Sequence, residues 1–224
     1  MTTPSMSQAL DTYLREVSGQ RLGSPASLIP QSFAHVVRVL NPALVPGGKR
    51  LRWSDIAGDV SAIDSETQWN DVVAAASPDL GPYFEPDMGT ISEHVARSLL
   101  AILSRHTSSE EATFLAWEGY SGLKDEVVRS PTVTAGLGRV MHVRHGALSL
   151  ALDPIDSPPN RLAMTWLPDD GAWFVGNDIY ARSVFVGGSA ECIGAVLSHA
   201  DLEAYPVGAG YSVVPEDFPR RVAS

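Results

Sequence analysis

Cysteine is almost missing from this chain: Cys192 stands alone among 224 residues. One thiol forms no internal disulfide and cannot supply the several thiolates of a multi-cysteine zinc site. No histidine stands near it in sequence to activate it, so Cys192 reads as a small buried residue on a helix. Basic residues are scarce too, with Lys and Arg totalling 16 against 26 Asp and Glu, a formal net charge of -10. No run of Lys or Arg breaks that acidity, which disfavours nucleic acid and anionic lipid as partners. No segment approaches the roughly 20 uninterrupted apolar residues of a membrane span. The opening MTTPSMSQALDTYLREVSG lacks a basic stretch ahead of an apolar run and does not read as a secretory signal. The expectation is a cytoplasmic protein whose partner is a small ligand or a protein with a basic surface.

What is present is ordinary globular material. Apolar residues make up 44% and charged residues 19% of the chain, enough for a core that buries roughly 70% of the unfolded surface. Leu10, Tyr13, Leu14 and Val17 recur at helical spacing until Gly19 stops them. Pro30 opens a segment carrying Phe33, Val36, Val37 and Leu40, which predicts a short buried helix ended by Asn41-Pro42. Three pairs, Ser65/Gln68, Thr90/Glu93 and Ser108/Glu111, have capping-box spacing. They predict helices through Trp69–Ala76 (closed by Pro78), Ile91–Leu103 and Ala112–Ala116, the last running into the loop Trp117–Gly122.

After that the period changes. ALSLAL, residues 147–152, alternates as a strand does, with Arg139–Val143 as its partner and His145-Gly146 at the turn. Asp153–Asn160 carries three prolines and must be a loop. Strands follow at Arg161–Leu167, Ala172–Asn177 and Arg182–Val186, then a helix opened by Ser189 through Ile193, Val196 and Leu197, and a last segment Leu202–Val207. The prediction is one α+β domain over residues 1–224. A helical part (about 5–120) packs on a mainly antiparallel sheet (about 137–207), and an irregular tail occupies 208–224.

Chemistry-bearing residues are few. Pro168-Asp169-Asp170-Gly171 has the composition of a turn, and Asp178 belongs to a second one, Asn177–Tyr180. Asp170 and Asp178, eight extended residues apart, would stand roughly 25 Å from each other and share no ion. Trp166 and Trp173 flank the first turn as a cross-strand pair, serving as packing or as an aromatic wall for a ligand. Val186-Gly187-Gly188-Ser189 reads as a tight strand-to-helix turn capped by Ser189, with an anion site as the alternative. It lacks the lysine of a phosphate loop and the third glycine of a dinucleotide fingerprint, so no cofactor and no metal are expected. His142 and Arg144 share a strand face, read as the solvated side of a sheet, while His145 faces the other way or sits in the turn. Glu118 lies between aromatics in Trp117-Glu118-Gly119-Tyr120, a setting that can raise a carboxyl pKa, although a helix-to-loop junction explains it equally.

In Trp166–Trp173, Asn177–Ile179, Val186–Ser189 and Leu202–Ala204, together with His106-Thr107 and Trp117–Tyr120, the chain resembles a family of uncharacterised actinobacterial proteins. The resemblance covers most of residues 30–207 and implies no activity. It departs at Gly171, where that pattern has Arg, and at Tyr180, where it has a second acidic residue; an ion pair between those two groups would be lost here. The layout of helices ahead of a meander sheet is also similar to the immunity and binding proteins of the Smi1/Knr4 superfamily, an analogy at the level of fold. The functional expectation is a non-catalytic binding protein, immunity- or antitoxin-like in one form. It would present Trp117, Tyr120, Trp166, Asp170 and Trp173 to its ligand or partner. The alternative is a small hydrolase or transferase that uses Glu118, His142 and Asp170 for acid-base work.

Overall fold

The computed structural model describes residues 8–20, 27–58, 63–76 and 81–208. In chain order its elements are α1 (Gln8–Val17), β1 (His35–Leu40), β2 (Ala43–Leu44), β3 (Arg50–Leu51), α2 (Trp53–Ala57), α3 (Trp69–Ala75), α4 (Glu93–Leu103), β4 (Glu111–Trp117), α5 (Asp125–Val128), β5 (Thr132–Ala135), β6 (Arg139–Ala147), β7 (Thr165–Pro168), β8 (Phe174–Gly176), β9 (Ser183–Gly188), α6 (Ala190–Leu197) and β10 (Ala204–Pro206). Eight strands form one antiparallel sheet in the order β10-β1-β9-β8-β7-β4-β6-β5, so the α+β class stands. The tail expected to be irregular lies, from residue 209 onward, outside the described residues, as does Pro78.

Side chains alternate between two cores. Ala112, Phe114 and Ala116 of β4 join Trp166, Trp173, Val175 and Val186 under α4 and α6, while Leu115 joins Met141, Phe174 and Phe185 under Leu10, Tyr13 and Val17 of α1. A third cluster, Trp53, Ile56, Trp69 and Val72, packs α2 and α3 beside Leu40. Arg38, buried in β1, ties this cluster to the sheet by donating to Ser183 Oγ (2.8 Å) and to the carbonyls of Thr67 (2.7 Å) and Ser65 (3.1 Å).

Two predicted helices are strands, for one shared reason. β1 and β4 lie inside the sheet with helices over both faces, so their apolar residues run consecutively, and a short consecutive run does not distinguish helix from strand. The Ser108/Glu111 spacing therefore caps nothing. The reading of ALSLAL as a strand is also corrected. Glu111 opposite Ala147 is the last pair of β4 with β6, the Leu148 N–H still reaches the Glu110 carbonyl (3.1 Å), and with no strand beyond it the chain coils into a 3-10 turn over Leu148–Leu152. For the same reason His145-Gly146 is no turn: β6 runs through both residues. The helices expected from Trp69 and after Thr90 form, with shifted caps. Asp71 accepts from the Gln68 N–H (3.0 Å), and Ser92 occupies the N-cap of α4 while the Thr90 hydroxyl accepts from the Leu162 N–H (2.9 Å).

Candidate functional site

Antiparallel pairing places Thr132 of β5, His142 of β6 and Ala116 of β4 side by side on the face beneath α4 and α6. Near this sheet edge α5 lies over the row, anchored by buried Val127. The strand β4 ends at Trp117, and the chain turns out through Glu118, whose backbone N–H still bonds the Val140 carbonyl (3.0 Å). The result is a concavity of about 550 Å³ lined by Glu118, Tyr120, Leu123, Val128, Thr132 and His142.

Its walls are fixed. Tyr120 meets Trp117 edge-to-face at 5.2 Å, receives the Arg161 guanidinium over its ring at 4.7 Å and donates its hydroxyl to the Gly89 carbonyl. Burial pushes this phenol well above its ordinary pKa despite Arg161 and Arg139 nearby, so it remains a neutral donor. The loop beyond Tyr120 is laced to 155–157 by Ser157 N–H to Gly122 O and Lys124 N–H to Ile155 O, both 2.9 Å. Buried Asp156 holds that second segment by accepting from Asn160 N–H (2.8 Å), Arg161 N–H (2.9 Å) and the Arg161 side chain (3.0 Å).

His142 departs from the expected solvated face. It is 5% exposed, and its Nδ1 is sealed from solvent without a hydrogen-bond partner among the described residues. Arg144, two residues along the same face, is also withdrawn from solvent and pairs with Asp153. Partial burial would raise the Asp153 pKa, but Arg144 and Lys124 outweigh it and hold the carboxyl below its usual value. The positive charges beside the concavity are therefore committed, while Glu118 projects exposed at its mouth.

Sequence-predicted residues fall into two groups. Glu118, His142 and Tyr120 line the concavity, while Trp117 packs with the α1-side core and backs Tyr120 without lining it. Asp170 does not line it either, because it sits beyond the opposite end of β4, about 20 Å away along the strand. There it has the turn role: Gly171, at φ +65°, donates to Pro168 O (2.9 Å), and Asp170 accepts from the Ala172 N–H (3.1 Å). The same carboxylate takes Thr107 Oγ1 (2.8 Å), Ser108 N–H (2.7 Å) and Ser108 Oγ (2.8 Å), tying the hairpin to the segment between α4 and β4. Asp178 likewise belongs to its own turn, accepting from Tyr180 N–H (2.9 Å) and pairing with Arg139 at 2.6 Å. Trp166 and Trp173 are core residues with no ligand-facing surface. Both are almost wholly buried, their indole N–H groups donating to Ala163 O and Leu103 O, each at 3.0 Å. Ser189 caps α6 by accepting from the Cys192 N–H (3.2 Å), as its turn composition predicts.

One constellation escaped the sequence reading. Glu111, His145 and Asp169 bring one donor atom each within 4.8 Å of one another. The sequence places His145 in a turn or on the other face of a strand, and the capping-box spacing places Glu111 on a helix, so the register that joins them is hidden. The signal that could have exposed it was the parity of Glu111, Thr113 and Leu115 along a strand. Among the described residues no helix is long and apolar enough to cross a membrane. Compared with protein-family models, curated proteins and solved structures, the chain matches none, and the geometry of the site alone bears on its function.

Proposed function

We propose that this is a cytoplasmic, non-catalytic binding protein whose ligand seats in the concavity between Glu118 and His142. The observation that carries this reading is His142, only 5% exposed, lining an open concavity that has exposed Glu118 at its mouth. The volume suits a small molecule or one inserted side chain. With Glu118 exposed at the mouth, Arg144 and Lys124 paired elsewhere, and Leu123, Val128 and Tyr120 as walls, the fitting ligand has an apolar body and a cationic head. A basic side chain of a protein partner meets the same description, which is the form an immunity- or antitoxin-like role would take, and the net charge of -10 favours its approach.

A second reading starts from the same lining: Glu118 and His142 in one cavity would supply the acid and the base of a hydrolase or transferase. Thr132 would then be the nucleophile, since the Tyr120 hydroxyl is engaged with Gly89. The two readings separate in one experiment. The histidine side-chain NMR resonances are followed while phenethylamine or phenylacetate is added. Binding predicts a saturable shift of His142 with the amine alone, abolished in Glu118→Gln. No response, or equal response to both compounds, ends the proposal; turnover of activated amides or esters that is lost in Thr132→Val supports the enzyme.

A further inference from the structure

We infer that Glu111, His145 and Asp169 form a binding site for a divalent first-row transition-metal ion of the zinc class. The site rests on the α1 face of the sheet and is independent of the concavity around His142. Its three residues are set by strand register. Thr113 pairs with Leu167 on one side and with His145 on the other, and Glu111 and Asp169 lie two residues from Thr113 and Leu167 on the same face. The Asp169 N–H bonds the Glu111 carbonyl at 3.2 Å, continuing the β4–β7 ladder to the end of the cluster.

Geometry and charge point the same way. His145 Nε2 stands 3.1 Å from each Asp169 oxygen, and a Glu111 oxygen completes a set within 4.8 Å. Donors at about 2.1 Å from an ion lie about 3.0–4.2 Å from one another, so modest side-chain rotation closes the set. Among the described residues Glu111 makes no side-chain hydrogen bond or ion pair, and Asp169 meets His145 alone. The neighbouring base, Arg144, is on the opposite face holding Asp153. Two carboxylates thus face one imidazole, a charge deficit that a dication would fill. The imidazole nitrogen distinguishes this set from a cluster of acids and selects against Mg²⁺ and Ca²⁺. Asp169 also lines a groove of about 430 Å³ with Tyr13, Phe33 and Leu167. Three protein ligands leave a coordination position open.

The test is calorimetric titration of the tag-free full chain with Zn²⁺ at near-neutral pH. One ion is expected per chain, with binding weakened at least about tenfold in Glu111→Gln and in His145→Gln. Millimolar Mg²⁺ is expected not to compete. Both side chains are exposed, so the variants should unfold at the wild-type temperature without metal. Binding of Co²⁺, read from its visible absorption, gives a second measurement of the same donor set. Absence of Zn²⁺ binding would overturn the site. Binding that survives both substitutions would do so equally, placing the ion on another histidine such as His94 or His199.

Discussion

Removing the Asp170 carboxylate tests whether this acid is architectural. In Asp170→Asn the charge goes, and an amide N–H₂ is brought against donors from Thr107, Ser108 and Ala172, which the wild-type carboxylate accepts. Hydrogen bonds to a charged group contribute about 1.5–3 kcal/mol each where they are dry, but these lie at the surface and water recovers much of the loss. The expected net destabilisation is about 2 kcal/mol, a fall of roughly 4–8 °C in the unfolding temperature of a chain this size. The pH dependence supplies a sign. Partial burial would raise the Asp170 pKa, but the Ser108, Ala172 and Thr107 donors outweigh it and hold the folded value below the ordinary one. Its contribution is therefore fully present above the unfolded pKa, near 3.9, and is lost as pH falls through the folded value. Urea unfolding of wild type and Asp170→Asn should give a constant gap from neutral pH down to about pH 5 that narrows in stronger acid. Equal stability at neutral pH would refute the reasoning. So would a variant that folds normally yet loses amine binding at His142, because Asp170 would then be part of the site.

Two further predictions concern buried groups. Asn41, wholly buried, donates to the carbonyls of Asp87 and Thr90 (both 2.9 Å) and accepts from the Ser92 N–H (3.0 Å). Asn41→Ala should cost about 3 kcal/mol or more by urea unfolding, since it strands three backbone groups, and a loss under 1 kcal/mol would show that water replaces the amide. Cys192 is buried, and burial with the adjacent Glu191 pushes its thiol up to about 11. Alkylation of the native protein at mildly alkaline pH should run about a hundredfold or more slower than that of the urea-unfolded chain. Equal rates would place the thiol at the surface.

Legibility followed exposure. α1 and α4 show one wet face and one dry face, so their period survives in the sequence; the turns at Pro168–Gly171 and Asn177–Tyr180 are written in residues that bond their own backbone. β1 and β4 have no wet face, and their period is erased by the very burial that makes them central. That single loss propagated to the sites. Glu118 and His142 could be singled out as residue types, but their meeting depends on Ala116 pairing with His142, which exists only if β4 is a strand. Trp166 and Trp173 failed as surface candidates for the complementary reason. Nothing local in a sequence tells whether an aromatic at the neck of a hairpin faces solvent or a covering helix, and here α4 covers both.

The same parity argument predicts that the two proposed sites do not communicate. His142 and His145 are three residues apart on β6, an odd spacing, so they project through opposite faces of the sheet about 10 Å apart along the strand. One lies on the α4–α6 side and the other on the α1 side, with separate covering layers. Coupling would need an element with two discrete arrangements touching both, and β6 is held in register by β4 on one side and β5 on the other. The affinity for phenethylamine should therefore be unchanged by saturating Zn²⁺, and the effects of Glu118→Gln and His145→Gln on stability should add within about 0.5 kcal/mol. A reciprocal shift in the two affinities would mean that β6 changes register between liganded states, and the fixed pairing from which both sites were derived would fall with it.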